Sequence, residues 1–313
     1  MSRILGVDFG IKIVFQDGAV EMNRRRMLIQ MGTASLTLGN LTTLQALADT
    51  LPDTEAMPGL FVGHGSPMNA VEKNQFVLGF REMAKSIPKP KAILCISAHW
   101  FIEGTKVTAM DKPRTIHDFG GFPKELSEIQ YPAPGSPELA SLTAEVAMPT
   151  PVNLDNSWGF DHGAWTVAMH MYPQADVPIV QLSVDRSLTP QGHFELGQRL
   201  NSLRHRGVLI LGSGNIVHNL RLVDFQNFNR KNHGFDWAIE AREFVNRCIT
   251  EGNYRALFEY TKQGRAMQLA VPTPEHYLPL LYILGLKHDP AQHQLFNDEM
   301  LAGSLSMTSL KVS

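Results

Sequence analysis

Residues 208–219 read VLILGSGNIVHN: four apolar residues, a Gly-Ser-Gly turn, and then a histidine, His218. A short apolar run bounded by turn residues reads as a β-strand. The same order occurs twice more upstream. GLFV at 59–62 runs into Gly63-His64-Gly65-Ser66-Pro67, and AILCI at 92–96 runs into Ser97-Ala98-His99-Trp100. Three strands that each end in a histidine suggest one sheet with its chemistry gathered at one edge.

Outward from these runs the chain alternates short apolar stretches with amphipathic ones. Strands are expected at Gly59 to Val62, Ala92 to Ser97, Lys106 to Ala109, Val152 to Leu154, Pro178 to Ser183 and Val208 to Leu211. Helices are expected at Val71 to Lys85, Pro137 to Ala147, Ala164 to Tyr172, Pro190 to Arg204, Trp237 to Thr250 and His276 to Leu284. Such alternation predicts an α/β fold: a mostly parallel central sheet with helices on both faces, in a single domain. The stretch from Lys112 to Pro137, rich in proline, glycine and aromatic residues, is predicted to be an ordered loop over a pocket.

In an open α/β sheet, ligands bind beyond the carboxyl ends of the strands. His64, His99 and His218 lie at or just past such ends, and His276, in PTPEH, enters an apolar helix. Histidines from separate strand ends can therefore converge without being sequence neighbours. Convergent neutral imidazoles are ligands for zinc or iron, whereas magnesium and calcium call for oxygen-rich clusters. Each ligand histidine also needs a partner for its second ring nitrogen, and Ser66, Ser97, Asn215 and Asn219 are at hand in sequence. His170, His193, His205, His233, His288 and His293 sit at no expected strand end and read as structural or surface residues.

The chain has 313 residues, 43% hydrophobic and 19% charged, with a formal net charge of -2, which leaves no electrostatic footprint for nucleic acid. Two cysteines, Cys95 and Cys248, make no disulfide framework. Residues 1–48 read as a leader. Within it, 22–48 combines three arginines, an acid-free apolar stretch and an Ala46-Leu47-Ala48 ending, the pattern of a secretory signal. Asn23-Arg24-Arg25-Arg26-Met27-Leu28 resembles a twin-arginine export motif, so a periplasmic location is expected, with a cytoplasmic one as the alternative. No other stretch has the length of apolar sequence needed for a membrane span.

GHGSPMN, SAHWF, TIHDFGGFP, YPAPGSPELA, WGFDHGAW, SGNIVHNL, PTPEHYLPLLY and GSLSM, in this order from Met57 to Met307, resemble the DODA-type extradiol ring-opening dioxygenases. These belong to the class III extradiol family that includes the catalytic subunit of protocatechuate 4,5-dioxygenase. The resemblance implies a catalytic domain over 57–313 and one divalent metal ion, Fe(II) for ring cleavage or Zn(II). It implies a catechol-type aromatic substrate opened with O2 to a muconic semialdehyde. By the same resemblance His64, His99 and His276 hold the metal, with Glu275 as the alternative third ligand, because distant relatives place a carboxylate there. His218 resembles the acid/base and His162 a second catalytic pocket residue. His117 and Ser66 are expected in the substrate pocket, and Phe119, Phe122, Trp158, Phe160 and Trp165 are expected to wall the ring. The rival readings on this scaffold are a zinc-dependent hydrolase or lyase and a non-catalytic metal-binding protein. Ser66 as a nucleophile is the weakest, because GHGSP lacks the G-x-S-x-G spacing.

Overall fold

A computed structural model describes residues 54–313 except Asn229 and His288, so the expected leader over 1–48 lies outside the described residues. In chain order the strands are β1 (Gly59–Gly63), β2 (Ala92–Ile102), β3 (Thr105–Thr108), β4 (Arg114–Thr115), β5 (Val152–Asp155), β6 (Gly159–Phe160), β7 (Ile179–Asp185), β8 (Val208–Gly214), β9 (Gln294–Phe296), β10 (Met300–Leu301), β11 (Leu305–Ser306) and β12 (Ser309–Val312). The helices used below are α1 (Gln75–Lys85), α2 (Lys124–Glu128), α3 (Pro137–Val146), α4 (His162–Met171), α5 (Pro190–Leu200), α6 (Asp236–Glu251) and α7 (Leu278–Gly285).

Eight strands form one sheet in the order β5-β3-β7-β2-β8-β1-β12-β9. Its centre, β7-β2-β8-β1, is parallel throughout. Residues alternate along each central strand between two apolar layers. Phe61, Leu94, Ile96, Val180, Leu182, Val208 and Ile210 pack against α3, α5, α6 and α7. Leu60, Val62, Ile93, Cys95, Ile179, Leu209 and Leu211 pack against α1, α2 and α4. Burial on both faces explains why these strands read as continuous apolar runs. Both cysteines are free and buried, one in each layer. Among the described residues no helix is long and apolar enough to cross a membrane.

The expected α/β architecture is the one observed, with departures that have local causes. The C-terminal strands β9 and β12 were not predicted; they add an antiparallel edge on β1. The edge strand β9, QLF, is only partly covered, and β12, SLKV, one strand in from the edge, alternates polar and apolar residues. β3 joins β7 antiparallel. The predicted helix from Val71 begins only at Gln75, because the Asn74 side chain accepts from the amides of Phe76 and Val77 and fixes the start there. His276 lies ahead of α7 rather than inside it. β2 runs past Ser97 to Ile102, with a register shift against β7 between Ile96 and Phe101. His99 therefore sits within an irregular stretch of strand, a device that re-aims side chains.

His193 lies buried between α5 and α7. Its Nδ1 is 3.0 Å from the Tyr282 hydroxyl, and burial holds its pKa down to about 4. The unfolded chain, titrating near 6.5, takes up the proton first. The stability His193 contributes is complete above that value and is lost as pH falls toward 4. At pH 5 the loss amounts to about 2 kcal/mol. Denaturant unfolding of wild type and His193→Gln at pH 7 and pH 5 checks this: the variant is expected to lose less stability on acidification, and equal losses would contradict it.

Candidate metal centre

At the carboxyl end of the parallel strands a cavity of about 580 Å³ has His64, His99, His162, His218 and His276 in its floor and side. Phe119, Phe122, Leu220, Val223, Phe225 and Phe228 supply most of its apolar wall.

His64 follows β1 directly. Its amide donates to the Gly214 carbonyl (3.1 Å), continuing the β1–β8 ladder by one residue. Its Nδ1 is 2.9 Å from Ser213 Oγ, and that hydroxyl donates to the Gly163 carbonyl at 2.6 Å. Since the Ser213 proton is already committed, its oxygen accepts from the ring, and His64 carries its proton on Nδ1. The bare Nε2 then faces His99 Nε2 at 3.2 Å. His99 Nδ1 is in turn 3.1 Å from Asp118 Oδ2 and donates to it. With both rings neutral, the two ring nitrogens present their lone pairs to each other. Two imidazoles bound to one zinc-like ion, each nitrogen about 2.0–2.1 Å from it, stand roughly 3–3.4 Å apart. The donor set fits a transition metal: imidazole nitrogens, with the second ring nitrogens tied to a hydroxyl and a carboxylate.

His162 begins α4, whose N-cap is Asp161. Its ring lies 3.8 Å, centroid to centroid, from that of His99. One Asp118 oxygen accepts from the His162 amide (2.8 Å) and the other from its Nδ1 (3.0 Å). His276 lies with its ring centroid 5.3 Å from His64 and 5.0 Å from His99, and it stacks on His218 at 3.5 Å. His64, His99 and His162 offer ligand atoms within 4.8 Å of one another, as do His218, Glu275 and His276. Glu275 is 3.3 Å from His276 Nδ1 and does not line the main cavity; it opens on a smaller cleft of about 220 Å³ that also reaches His218.

Burial, reinforced by the neighbouring histidines, pushes the pKa values of His64 and His276 far down. Burial also lowers His218, to about 4, against the attraction of Glu275. His162 is lowered by burial in spite of Asp118. Burial would lower His99 too, but the Asp118 hydrogen bond and the charges of Asp161, Asp118 and Glu275 outweigh it and raise it. Burial would raise Asp118, yet the bonds from His162 and His99 hold it well below the usual carboxylate range. Near neutral pH, His64, His162, His218 and His276 are therefore neutral, as metal ligands and bases must be.

Ser66 lines the cavity, but its hydroxyl oxygen accepts from the Met68 amide and caps a 3-10 turn. Among the described residues no histidine hydrogen-bonds to it. His117 corrects its expectation. It is not in the lining; its Nε2 bonds to the Ile129 carbonyl at 2.9 Å, and its ring packs edge-on against Phe119 and Trp165. Trp158, Phe160 and Trp165 also stand outside the lining. Trp158 stacks on Trp100, and Trp165 donates to the Ile116 carbonyl from the buried layer. Of the expected aromatic wall only Phe119 and Phe122 reach the cavity. Sequence reasoning did not assign Asp118 or Ser213 as partners of the histidines, although both stand in quoted motifs. It also passed over the 220–228 segment, where Val223, Phe225 and Phe228 alternate with polar residues.

Ser213→Ala removes the acceptor that sets the His64 tautomer. Zinc affinity, measured by chelator competition, is expected to fall about tenfold with the fold intact; an unchanged affinity would refute this role for Ser213.

A sequence model of LigB, described as the catalytic LigB subunit of aromatic ring-opening dioxygenase, matches residues 58–304. A protein of Escherichia coli K12 named 4,5-DOPA dioxygenase extradiol is 46% identical over 270 residues, 84% of this chain and 97% of that one. A Beta vulgaris protein of the same name is 37% identical over 259 residues, 80% of this chain and 94% of that one. A crystal structure of an uncharacterized Escherichia coli K12 protein superposes with a TM-score of 0.70 at 42% identity, covering 82% of this chain and all of that one. With a sheet edge, a histidine cluster and a family match that coincide over nearly the whole described chain, this protein belongs to the LigB family of aromatic ring-opening dioxygenases and is an extradiol dioxygenase.

Proposed function

We propose that the protein opens the ring of a catechol, DOPA-like or related, with dioxygen, using one divalent metal held by His64, His99 and His276. The observation that carries this reading is the pair of Nε2 atoms that face each other 3.2 Å apart in the floor of an apolar cavity. His276 is preferred to Glu275 as third ligand because it lines that cavity beside both of them, whereas Glu275 opens on the other cleft. When bound, Fe(II) would lower the pKa of a catechol hydroxyl and carry electron density from ring to oxygen; Zn(II), which has no redox chemistry, would not do the second.

The protein's own groups supply the rest. The apolar wall offers a surface for the aromatic ring, as ligand pockets of this size do. His218 is neutral at pH 7 and borders the cavity, so its imidazole can take the second catechol proton and later return it. His162, tied to Asp118 through Nδ1, can hold a proton or a substrate hydroxyl at its other nitrogen. The product of ring opening beside the diol is a muconic semialdehyde.

Anaerobic reconstitution with Fe(II) or Zn(II), followed by oxygen uptake with L-DOPA and simple catechols, tests the reading. Iron-dependent uptake with a yellow product is expected. Tight zinc, and turnover without oxygen or none at all, would favour a hydrolase or a binding protein. His218→Ala is expected to keep its metal and lose about 10²- to 10⁴-fold in kcat; loss of metal would make His218 a ligand instead.

The twin-arginine pattern in 22–48 supports a further proposal, that the enzyme is exported folded to the periplasm. With Arg24 and Arg25 both changed to lysine, a reporter fused to residues 1–56 is expected to stay in the cytoplasm, and unchanged export would argue against it.

A further inference from the structure

The stretch between β4 and α2 forms part of the cavity, contributing Phe119, Gly120 and Phe122 to its wall. It is pinned on the side that enters the site. β4 pairs with β6, the Ile116 amide donates to the Phe160 carbonyl at 2.7 Å, and Trp165 Nε1 donates to the Ile116 carbonyl at 2.9 Å. At the point where this strap reaches the histidines stands Asp118. It accepts three N–H groups: the His162 amide on Oδ1, and both His162 Nδ1 and His99 Nδ1 on Oδ2. The two rings come from different elements, β2 and α4, and the carboxylate comes from a third.

We propose that Asp118 is the positioning residue of this centre: one carboxylate fixes the tautomer and orientation of both His99 and His162. The argument is one of donors and acceptors. An ionised carboxylate can only accept, so a shared oxygen requires Nδ1–H on both rings, and a neutral ring so fixed offers a bare Nε2 toward the cavity. Without that acceptor each ring is free to carry its proton on Nε2, where it blocks metal binding at His99 and removes the acceptor at His162. The segment that supplies Phe119 and Phe122 to the aromatic wall is the same one that readies the histidines.

An amide cannot substitute. If the side chain introduced by Asp118→Asn placed its oxygen between the rings, its NH2 would meet the His162 amide donor. If it placed its NH2 there, both rings would have to reverse their tautomers. Asp118→Asn is therefore expected to weaken zinc binding about 10- to 100-fold in chelator competition, with an unchanged circular dichroism spectrum. In the iron form it should reduce kcat far more than it changes KM for a catechol. Nitrogen-15 spectra of the histidine rings in the zinc-loaded wild-type protein should show His99 and His162 both protonated at Nδ1. That measurement also decides the matter should the variant fail to fold. Zinc affinity within twofold of wild type, or either ring protonated at Nε2, would overturn the proposal. The kcat effect rests on the ring-opening reading, but the affinity and tautomer measurements do not. A wild type that consumes no oxygen while Asp118→Asn loses zinc would sink ring opening and leave Asp118 in place; normal turnover with unaltered zinc binding in the variant would do the reverse.

Discussion

The parallel register of β1, β8 and β2 is the constraint on which the centre depends. Val62 pairs with Ser213 and Gly63 with Gly214 on one side of β8, and Ser97 pairs with Ser213 on the other. β1 and β8 therefore finish at one level, while β2 passes that level and its irregular stretch carries His99 into the same space. A slip of one residue in either pairing would send a histidine to the opposite face of the sheet. Gly214 completes the arrangement. A Cβ there would collide with the His276 carbonyl, the same carbonyl that accepts from the Asn215 amide at 2.8 Å. The fourth histidine docks against the strand end because that position has no side chain.

What the fold holds in that space is a set of polar groups that burial alone would disfavour. Each of four rings has one nitrogen near a protein partner: Ser213 for His64, Asp118 for His99 and His162, Glu275 for His276. For His64 and His99 the remaining nitrogens face each other, an arrangement that a cation between them, or a proton on His99, makes favourable. Below the histidines the buried Asp161, whose pKa burial raises, accepts from Ser97 Oγ and the Gln181 side-chain amide, so a second carboxyl group lies behind the rings in addition to Asp118. The polar interior is thus graded from carboxylates through imidazoles to an apolar chamber, suited to a metal below and an aromatic ring above.

Much of this was legible in the sequence because it is carried by local pattern. Apolar runs ending in Gly-His, Ala-His and Gly-Ser-Gly gave the parallel strands, the histidines at or beyond them gave three of the five rings in the cavity, and PTPEH before an apolar helix gave His276. His162 came only from family resemblance, since it opens a helix rather than ending a strand. Elements fixed by non-local partners were not legible. β9 and β12 exist because β1 offers an edge, and the Ile96/Phe101 register shift arises from how β2 meets β7. His117 illustrates the limit: its sequence position predicts the pocket, yet the side chain turns away to the Ile129 carbonyl and leaves its neighbour Asp118 to enter.

X-ray absorption on the anaerobically reconstituted Fe(II) protein, with metal content measured on the same sample, tests the central claim most directly. One iron per chain with three imidazoles in its inner shell, of which catechol addition displaces none, is the result this structure predicts. Substoichiometric iron in an oxygen-only shell would contradict it and would mean that the facing histidines serve something other than a metal.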